Sequence, residues 1–273
     1  MRTLAVVTLY HPSPQVGENI ASYATGVDGL FIWNNTPPGS PEPALPDVVQ
    51  AKVVRYRRGE NVGIGQPLDE AARMAMEEGY THLLTMDQDS RFIPDSFRAY
   101  LEEAVRLDAE EDKPVVYVPL VNRLPFDGSP QVVDSFITSG TLFPVGTLRA
   151  VGPFCAKLVI DGIDLEYSFR LRAMEGQIMR LPQGSLQHAL GYPLRKRFLW
   201  WMPVSLNYPP ARVYYIARNF LYLKKQYPQY VNPSTVRKLV WQRPFYILFM
   251  EKRKVAKLRA WVRGVADGWR CRF

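Results

Sequence analysis

The stretch Leu83-Leu84-Thr85-Met86-Asp87-Gln88-Asp89-Ser90 ends an apolar run on two carboxylates one residue apart. Side chains alternate along an extended backbone with period two, so Asp87 and Asp89 point the same way. Hard oxygen ligands converging from one face suit Mg²⁺ or Mn²⁺, ions that keep waters and bridge to phosphates. A polar turn closing a strand is the plainer reading of the same residues. To present the acids, a buried strand must stop at Asp87 on the carboxyl edge of a sheet, where open α/β sheets bind ligands.

The surrounding pattern supplies such a sheet. Residues 4–10 read as a first strand, ended by His11-Pro12-Ser13-Pro14, and residues 15–26 as a short helix. Gly29-Leu30-Phe31-Ile32-Trp33 is a second strand, followed by a Pro-, Ser- and Gly-rich loop over 37–46. A third strand over 51–56 leads through Arg57-Arg58-Gly59-Glu60-Asn61-Val62-Gly63-Ile64-Gly65 into a helix over 67–79. The strand ending at Asp87 is the fourth. Further on come a helix over 93–111, a strand over 115–120 and an apolar segment with a small polar centre over 136–143. A helix from 165 to about 175 follows, with Asp164 at its N-cap and Glu166 in its first turn. Glu166 and Arg170, at i and i+4, should pair. Strand and helix in alternation predict a mainly parallel sheet with helices on both faces.

Charge divides the chain. Residues 191–273 hold 18 of the 34 lysines and arginines but 2 of the 26 acids, so that stretch carries +16 and the preceding 190 residues carry −8. We expect an acidic domain over 1–192 and a basic, aromatic-rich, mostly helical region over 193–273. Its composition implies a polyanionic partner. Arg195-Lys196-Arg197-Phe198-Leu199-Trp200-Trp201-Met202 sets cations beside aromatics, and apolar and basic residues segregate over 239–261 as on an amphipathic helix that Pro244 must break. Such helices lie in the headgroup layer of an anionic membrane. Helices packed on a core with a solvated basic face are the alternative. Nucleic acid is disfavoured, because the aromatics cluster in apolar blocks rather than standing apart for stacking.

An apolar share of 47% fits a globular chain. Cys155 and Cys271 form no disulfide or metal pattern, as suits a reducing cytosol. The first apolar run is too short for a signal peptide, and no stretch reaches the roughly 18 apolar residues of a spanning helix.

Several segments carry a resemblance. They are Val6-Val7-Thr8-Leu9-Tyr10-His11-Pro12, Glu60-Asn61-Val62-Gly63-Ile64-Gly65, Leu84-Thr85-Met86-Asp87-Gln88-Asp89-Ser90 and Ile137-Thr138-Ser139-Gly140-Thr141-Leu142-Phe143. Ile160-Asp161-Gly162-Ile163-Asp164-Leu165-Glu166-Tyr167-Ser168-Phe169-Arg170, His188-Ala189-Leu190-Gly191 and Tyr214-Tyr215-Ile216-Ala217-Arg218-Asn219 complete them. In order and spacing they resemble the family-2 inverting glycosyltransferases of the GT-A fold, particularly the bacterial rhamnosyltransferases of cell-surface polysaccharide synthesis. The resemblance spans about residues 3–220.

The resemblance implies a Rossmann-like nucleotide-diphospho-sugar transferase domain and a donor such as dTDP-rhamnose, with another dTDP- or UDP-sugar as the alternative. It also implies a divalent metal, Mg²⁺ or Mn²⁺, and a glycan acceptor, lipid-linked or free, met at the cytoplasmic face of the cell membrane. The family's pattern makes Asp89 a metal ligand and Asp87 the ribose-side acid, with His188 a further ligand, although a lone histidine is more often structural. Asp164 matches the acid that takes the acceptor's proton, with Asp161 second and a plain N-cap the bland reading. Thr8, Tyr10, Asn34, Asn61 and Gly63 would meet the nucleotide, Ser139 and Gly140 the transferred sugar, and Arg218 with Asn219 the diphosphate, unless these two knit the tail to the core. The family often has Asp where Asn34 stands, and the asparagine oxygen can still accept. A nucleotidyltransferase would need a basic Gly-rich loop that Tyr10-His11-Pro12-Ser13-Pro14 lacks. A non-catalytic membrane-surface module would leave Asp87, Asp89 and Asp164 without a purpose.

Overall fold

The apolar run near the start forms β1 (Thr3–Leu9), buried along nearly its whole length, as a strand covered on both faces must be. It is followed by α1 (Val16–Ala24), β2 (Gly29–Asn34), the single turn α2 (Asp47–Gln50), β3 (Val53–Arg58), α3 (Gly65–Glu77) and β4 (His82–Asp87). The chain continues through β5 (Ser90–Phe92), α4 (Ser96–Asp108), β6 (Val115–Val121), β7 (Gln131–Val132), β8 (Thr141–Pro144), α5 (Val145–Val151), α6 (Ile163–Ala173) and β9 (Gln177–His188). This computed structural model describes residues 1–110, 112–188, 194–195, 204–205 and 207–271.

Among the described residues one nine-stranded sheet runs β3-β2-β1-β4-β8-β6-β9-β5, with β7 on β9. Its first four strands are parallel, as is β6 with β9, and β8 runs antiparallel to both β4 and β6. The chain leaves β1 toward β2 and β3, then returns to place β4 on the other side of β1. That reversal opens a crevice beyond the carboxyl ends of β1 and β4, the usual ligand position in such sheets. Edge strand β3 is blunted by charge: Arg55 and Arg57 pair with Glu70 and Glu78 of α3 and its C-cap.

One face of the sheet is closed by Ile20 and Tyr23 of α1 and by Phe97, Tyr100, Ala104 and Leu107 of α4, all buried in one apolar cluster with Ala5, Val7 and Leu9 of β1. The Tyr100 hydroxyl donates to Tyr117 O (2.7 Å) and Gly140 O (3.0 Å), so this aromatic core residue leaves no stranded polar atom.

Several element boundaries differ from the sequence expectation. The helix expected over 93–111 is trimmed to 96–108, and Asp95 before it is left-handed (φ 64). α6 begins at Ile163, so Asp164 lies inside its first turn rather than at the N-cap. Ile163 is an apolar residue that burial draws into the helix.

The chain packs as two units, Met1–Ala156 with Ile163–Ala189, and Lys157–Gly162 with Leu190–Phe273. The second unit thus takes a segment from inside the sequence of the first. It contains the short antiparallel pair β10 (Leu194–Arg195) and β11 (Val204–Ser205), then α7 (Pro210–Gln226), α8 (Pro233–Val236), α9 (Arg243–Met250) and α10 (Lys254–Arg270). The helix expected over 239–261 is broken: a π-helical turn covers Arg237–Trp241, Pro244 sits in the first turn of α9, and Arg253 adopts φ 55 before α10. α10 lies close on α7 because Gly264 and Gly268 have no side chains; a Cβ on Gly268 would meet Arg218 O at 2.5 Å. Apart from the backbone of Arg195, the basic aromatic block 195–202 lies outside the described residues, as do Ala189, Leu190 and Gly191.

Arg218 and Asn219, offered from the sequence as diphosphate contacts, instead knit this unit together. The Asn219 amide donates to the carbonyls of Leu158, Ile160 and Asp161 (2.8, 2.7 and 2.8 Å), and Arg218 donates to Lys157 O (2.7 Å) and Asn219 Oδ1 (2.9 Å). Both side chains are buried, which is why they act on backbone carbonyls. Asn219→Ala would strand those acceptors and should lower stability by about 2–3 kcal/mol, read as a lower urea midpoint in circular dichroism.

Candidate functional site

Asp87 is the last residue of β4 and lies in register with Thr8 of β1, so both stand at the mouth of the crevice. Its backbone N–H donates to Ser139 Oγ (3.1 Å), and Ser139 is fully buried. Gly140 follows with φ +81, its N–H donating to Thr85 O (2.8 Å), and a Cβ there would meet Pro119 Cγ at 2.7 Å. Ser139 and Gly140 were expected beneath a sugar. Gly140 is packed behind β4, while Ser139 both braces Asp87 and edges a pocket of about 290 Å³ with Phe136, Ile137 and Arg180. Tyr23 lies fully buried in the core, and its hydroxyl has no hydrogen-bond partner among the described residues. Burial first, and the Asp87 charge second, push the phenol up, so it stays protonated.

Gln88, between the two acids, points the other way and performs a task that the sequence reading overlooked. Tyr10 N–H donates to Gln88 Oε1 (2.8 Å) and Gln88 Nε2 donates to Tyr10 O (3.1 Å), which locks the end of β1 to the turn after β4. Asn19 of α1 donates to Gln88 O (2.9 Å). The available signal was the amide itself, at a position whose period-two neighbours are acids. The Tyr10 ring is left exposed, edge-on to His11 at 4.5 Å.

β5 carries Asp89's neighbour Ser90 into antiparallel register with His188 at the end of β9. Asn122 grips the His188 backbone on both sides, accepting from its N–H (2.9 Å) and donating to its carbonyl (3.0 Å). Ser90 Oγ lies 2.7 Å from His188 Nδ1 and orients the ring, and Asp89 Oδ1 is 3.5 Å from the same nitrogen. Ligand atoms of Asp87, Asp89 and His188 all lie within 4.8 Å of one another. Opposite donors across an octahedral ion of the Mg²⁺ or Mn²⁺ class stand about 4 Å apart, so this donor set fits a divalent cation after small side-chain adjustment. Asp89, His188 and Asn122 face a cleft of about 570 Å³, together with Arg91 and Arg123.

The residues expected around a nucleotide divide into two kinds. Thr8 and Tyr10 remain at the crevice. Asn34 is fully buried and engaged: its oxygen accepts from Thr36 N–H (2.9 Å) and its amide donates to Tyr56 (2.9 Å). It therefore supports the loop rather than presenting an acceptor to solvent. Glu42, from the Pro-rich loop, accepts hydrogen bonds from Tyr56 and Arg58, which hold its carboxyl below the usual range, the tyrosine contributing most. Asn61 closes a turn by accepting from Gly63 N–H (2.9 Å), and Gly63 has φ +79. That turn is fixed by buried Asn35, which donates to Gly63 O (2.8 Å) and accepts from Val62 N–H (3.2 Å). The sequence reading assigned Asn35 no role. Beside it, Trp33, Tyr56, Arg57 and Val62 line a pocket of about 420 Å³, with the Arg57 guanidinium 5.4 Å from the Trp33 ring centre.

Asp164 is half-buried in the first turn of α6, its Oδ1 accepting from Leu165 N–H (2.9 Å). Ser168 Oγ donates to Asp164 O (2.7 Å) and accepts from Phe136 N–H (3.4 Å). The segment 136–139 thereby links the start of α6 to Asp87. Glu166 is buried and pairs with Arg170 (2.7 Å), whose guanidinium also donates to Val151 O and Pro153 O. Asp161 pairs with Arg212 (2.9 Å) in the second unit.

No family model matches the chain. Among curated proteins it is similar to the dTDP-rhamnosyl transferase RfbF of Shigella flexneri, at 25% identity over 239 residues, taking in 78% of this chain and 77% of that protein. Among solved structures it superposes on S. aureus TarS 1–349 with a TM-score of 0.54, covering 98% of this chain and 82% of that one at 12% identity. It also superposes on GalNAc-T7 crystallised with UDP, GalNAc and Mn²⁺, with a TM-score of 0.56 at 11% identity. That match covers 89% of this chain but 54% of GalNAc-T7, so the chain spans about half of that relative. The chain has the GT-A fold of these proteins.

At this site the His188 imidazole depends on Asn122 and Ser90 for its position. Loss of a residue that orients a ligand typically costs about 10–100-fold in metal affinity. Asn122→Ala should therefore weaken Mn²⁺ binding by about tenfold in titration calorimetry, and Asp89→Asn more severely. An unchanged affinity in both variants would remove the metal from this position.

Proposed function

We propose that this protein is a glycosyltransferase that moves rhamnose from dTDP-rhamnose, with inversion, to a glycan acceptor in cell-surface polysaccharide synthesis. The observation that carries the proposal is the convergence of Asp87, Asp89 and His188 at the carboxyl-end crevice of a GT-A sheet. The similarity to a curated dTDP-rhamnosyl transferase supports the choice of sugar and nucleotide.

Asp89 and His188 would hold a divalent ion, and Asp87 would face the donor's ribose. An Mg²⁺ or Mn²⁺ held by these residues would supply positive charge against the departing nucleoside diphosphate. Thr8, the Tyr10 ring and the turn of Asn61 and Gly63 would bound the nucleotide. Inversion is a single displacement, so the acceptor hydroxyl must lose its proton to a base on the acceptor side. Asp164 takes that role, while the Glu166–Arg170 pair holds the wall of α6 in place. The +16 carried by residues 191–273 favours a lipid-linked acceptor at the inner face of the cell membrane, reached by a peripheral protein. Among the described residues no helix is long and apolar enough to cross a membrane.

A second reading is transfer from a UDP-sugar, favoured by the likeness to a fold relative crystallised with UDP. Calorimetric titration of dTDP and UDP, each with Mn²⁺, Mg²⁺ or EDTA, separates the two. Metal-dependent dTDP binding that collapses in Asp89→Ala is the expected result; a preference for UDP moves the sugar, and binding of neither nucleotide ends the proposal. Asp164→Asn should lower kcat by about 10²–10⁴-fold with donor binding retained, measured by release of nucleoside diphosphate.

A further inference from the structure

α9 has the sequence Arg243-Pro244-Phe245-Tyr246-Ile247-Leu248-Phe249-Met250, with one charge, and that charge turns inward. Arg243 pairs with Glu251 (2.9 Å), and burial pulls its guanidinium below the usual arginine range. Ile247 and Met250 are buried in the unit. On the other side Trp241, Phe245, Leu248 and Phe249, spaced i, i+4, i+7 and i+8, are 49, 43, 43 and 60% exposed. Phe245 and Phe249 stack at 4.6 Å between ring centres. A helix apolar on both sides belongs in apolar surroundings, and here these four side chains are partly open to water.

The flanks are cationic. Arg237 and Lys238 precede the apolar stripe, and Lys252, Arg253 and Lys254 follow it, all exposed. The stretch from residue 191 onward has two acids, Glu251 and Asp267, and neither offsets these charges. Glu251 is buried between Arg243 and Lys257 (2.7 Å), and half-buried Asp267 accepts from Tyr214 (2.9 Å). The scaffold is fixed: Trp261 donates to Val240 O (2.9 Å), and Asn207 accepts from Lys257 Nζ (2.7 Å) and Lys252 N–H (3.3 Å).

From this arrangement we infer that α9 and the turn after it form a docking face for an anionic lipid bilayer. Trp241, Phe245, Leu248 and Phe249 enter the boundary between headgroups and acyl chains, and the five flanking cations meet the lipid phosphates. The inference rests on the membrane-borne acceptor proposed above and names the residues that reach the membrane. Nucleic acid would satisfy the cations but leave the apolar stripe wet, whereas a bilayer satisfies both.

The test is co-sedimentation of the full chain with vesicles of phosphatidylcholine alone or of equal parts phosphatidylcholine and phosphatidylglycerol. Binding to the anionic vesicles, weakened by salt and weak to phosphatidylcholine alone, is expected. The pair F245E/F249E and the pair K252E/R253E should each lower the partition coefficient by at least about tenfold. These side chains are exposed, and unchanged circular dichroism and metal-dependent nucleotide binding would show that the variants remain folded. Absence of binding to anionic vesicles, or equal binding by both variant pairs, overturns the inference. A dimer in sedimentation velocity that F245E/F249E converts to monomer, without vesicle binding, overturns it in favour of a second copy. Nucleotide binding without vesicle binding rejects the docking face and leaves the transferase proposal standing, and the reverse result does the opposite.

Discussion

Ser90 and His188 are 98 positions apart, and the short antiparallel ladder of β5 on β9 brings them side by side. That ladder is the constraint on which the site depends. β4 can deliver Asp87 by itself, but Asp89 acquires a nitrogen partner only because β9 ends beside β5. Asn122 fixes the last residue of β9 by hydrogen bonds to both of its backbone groups, so the imidazole sits on backbone that is held rather than on a fraying end. A donor set built in this way loses little freedom when an ion arrives, and such preorganisation is what makes orienting residues matter.

Amides and hydroxyls repeat the same principle around the crevice. Gln88 ties β1 to the turn after β4, Ser139 holds the Asp87 backbone, and Asn35 fixes the turn containing Gly63. Each satisfies backbone groups that a turn leaves without a partner on a neighbouring strand. The loops that carry the candidate site are consequently held by side chain-to-backbone hydrogen bonds, while the strands hold themselves.

The C-terminal unit treats its charge differently from the expectation of a uniformly solvated basic tail. Arg212, Arg218, Arg243 and Lys257 are spent inside it, on Asp161, on backbone carbonyls and on Glu251. Among the described residues, Arg237, Lys238, Lys252, Arg253 and Lys254 stay exposed beside an apolar stripe. That selection gives the surface its amphipathic character.

The sequence by itself determined the alternating strand and helix order, the strand that stops on Asp87, the Glu166–Arg170 pair and the break at Pro244. Each follows from local periodicity, from spacing along one element or from the missing N–H of proline. The family resemblance likewise came from ordered segments along the chain. The tertiary structure decided what depends on partners distant in sequence. Asn34 became an internal support because Thr36 and Tyr56 engage it, and Arg218 and Asn219 became buried fasteners because residues 157–162 pack with α7. Asp164 moved into the helix because Ile163 was buried. Gln88, Asn35 and Asn122 emerged only in three dimensions, since an amide gives no hint along the chain of which distant backbone group it will satisfy. Periodicity reports which face of an element is apolar, whereas the hydrogen-bond partner of a buried polar group is set by the packing of elements that the chain brings together last.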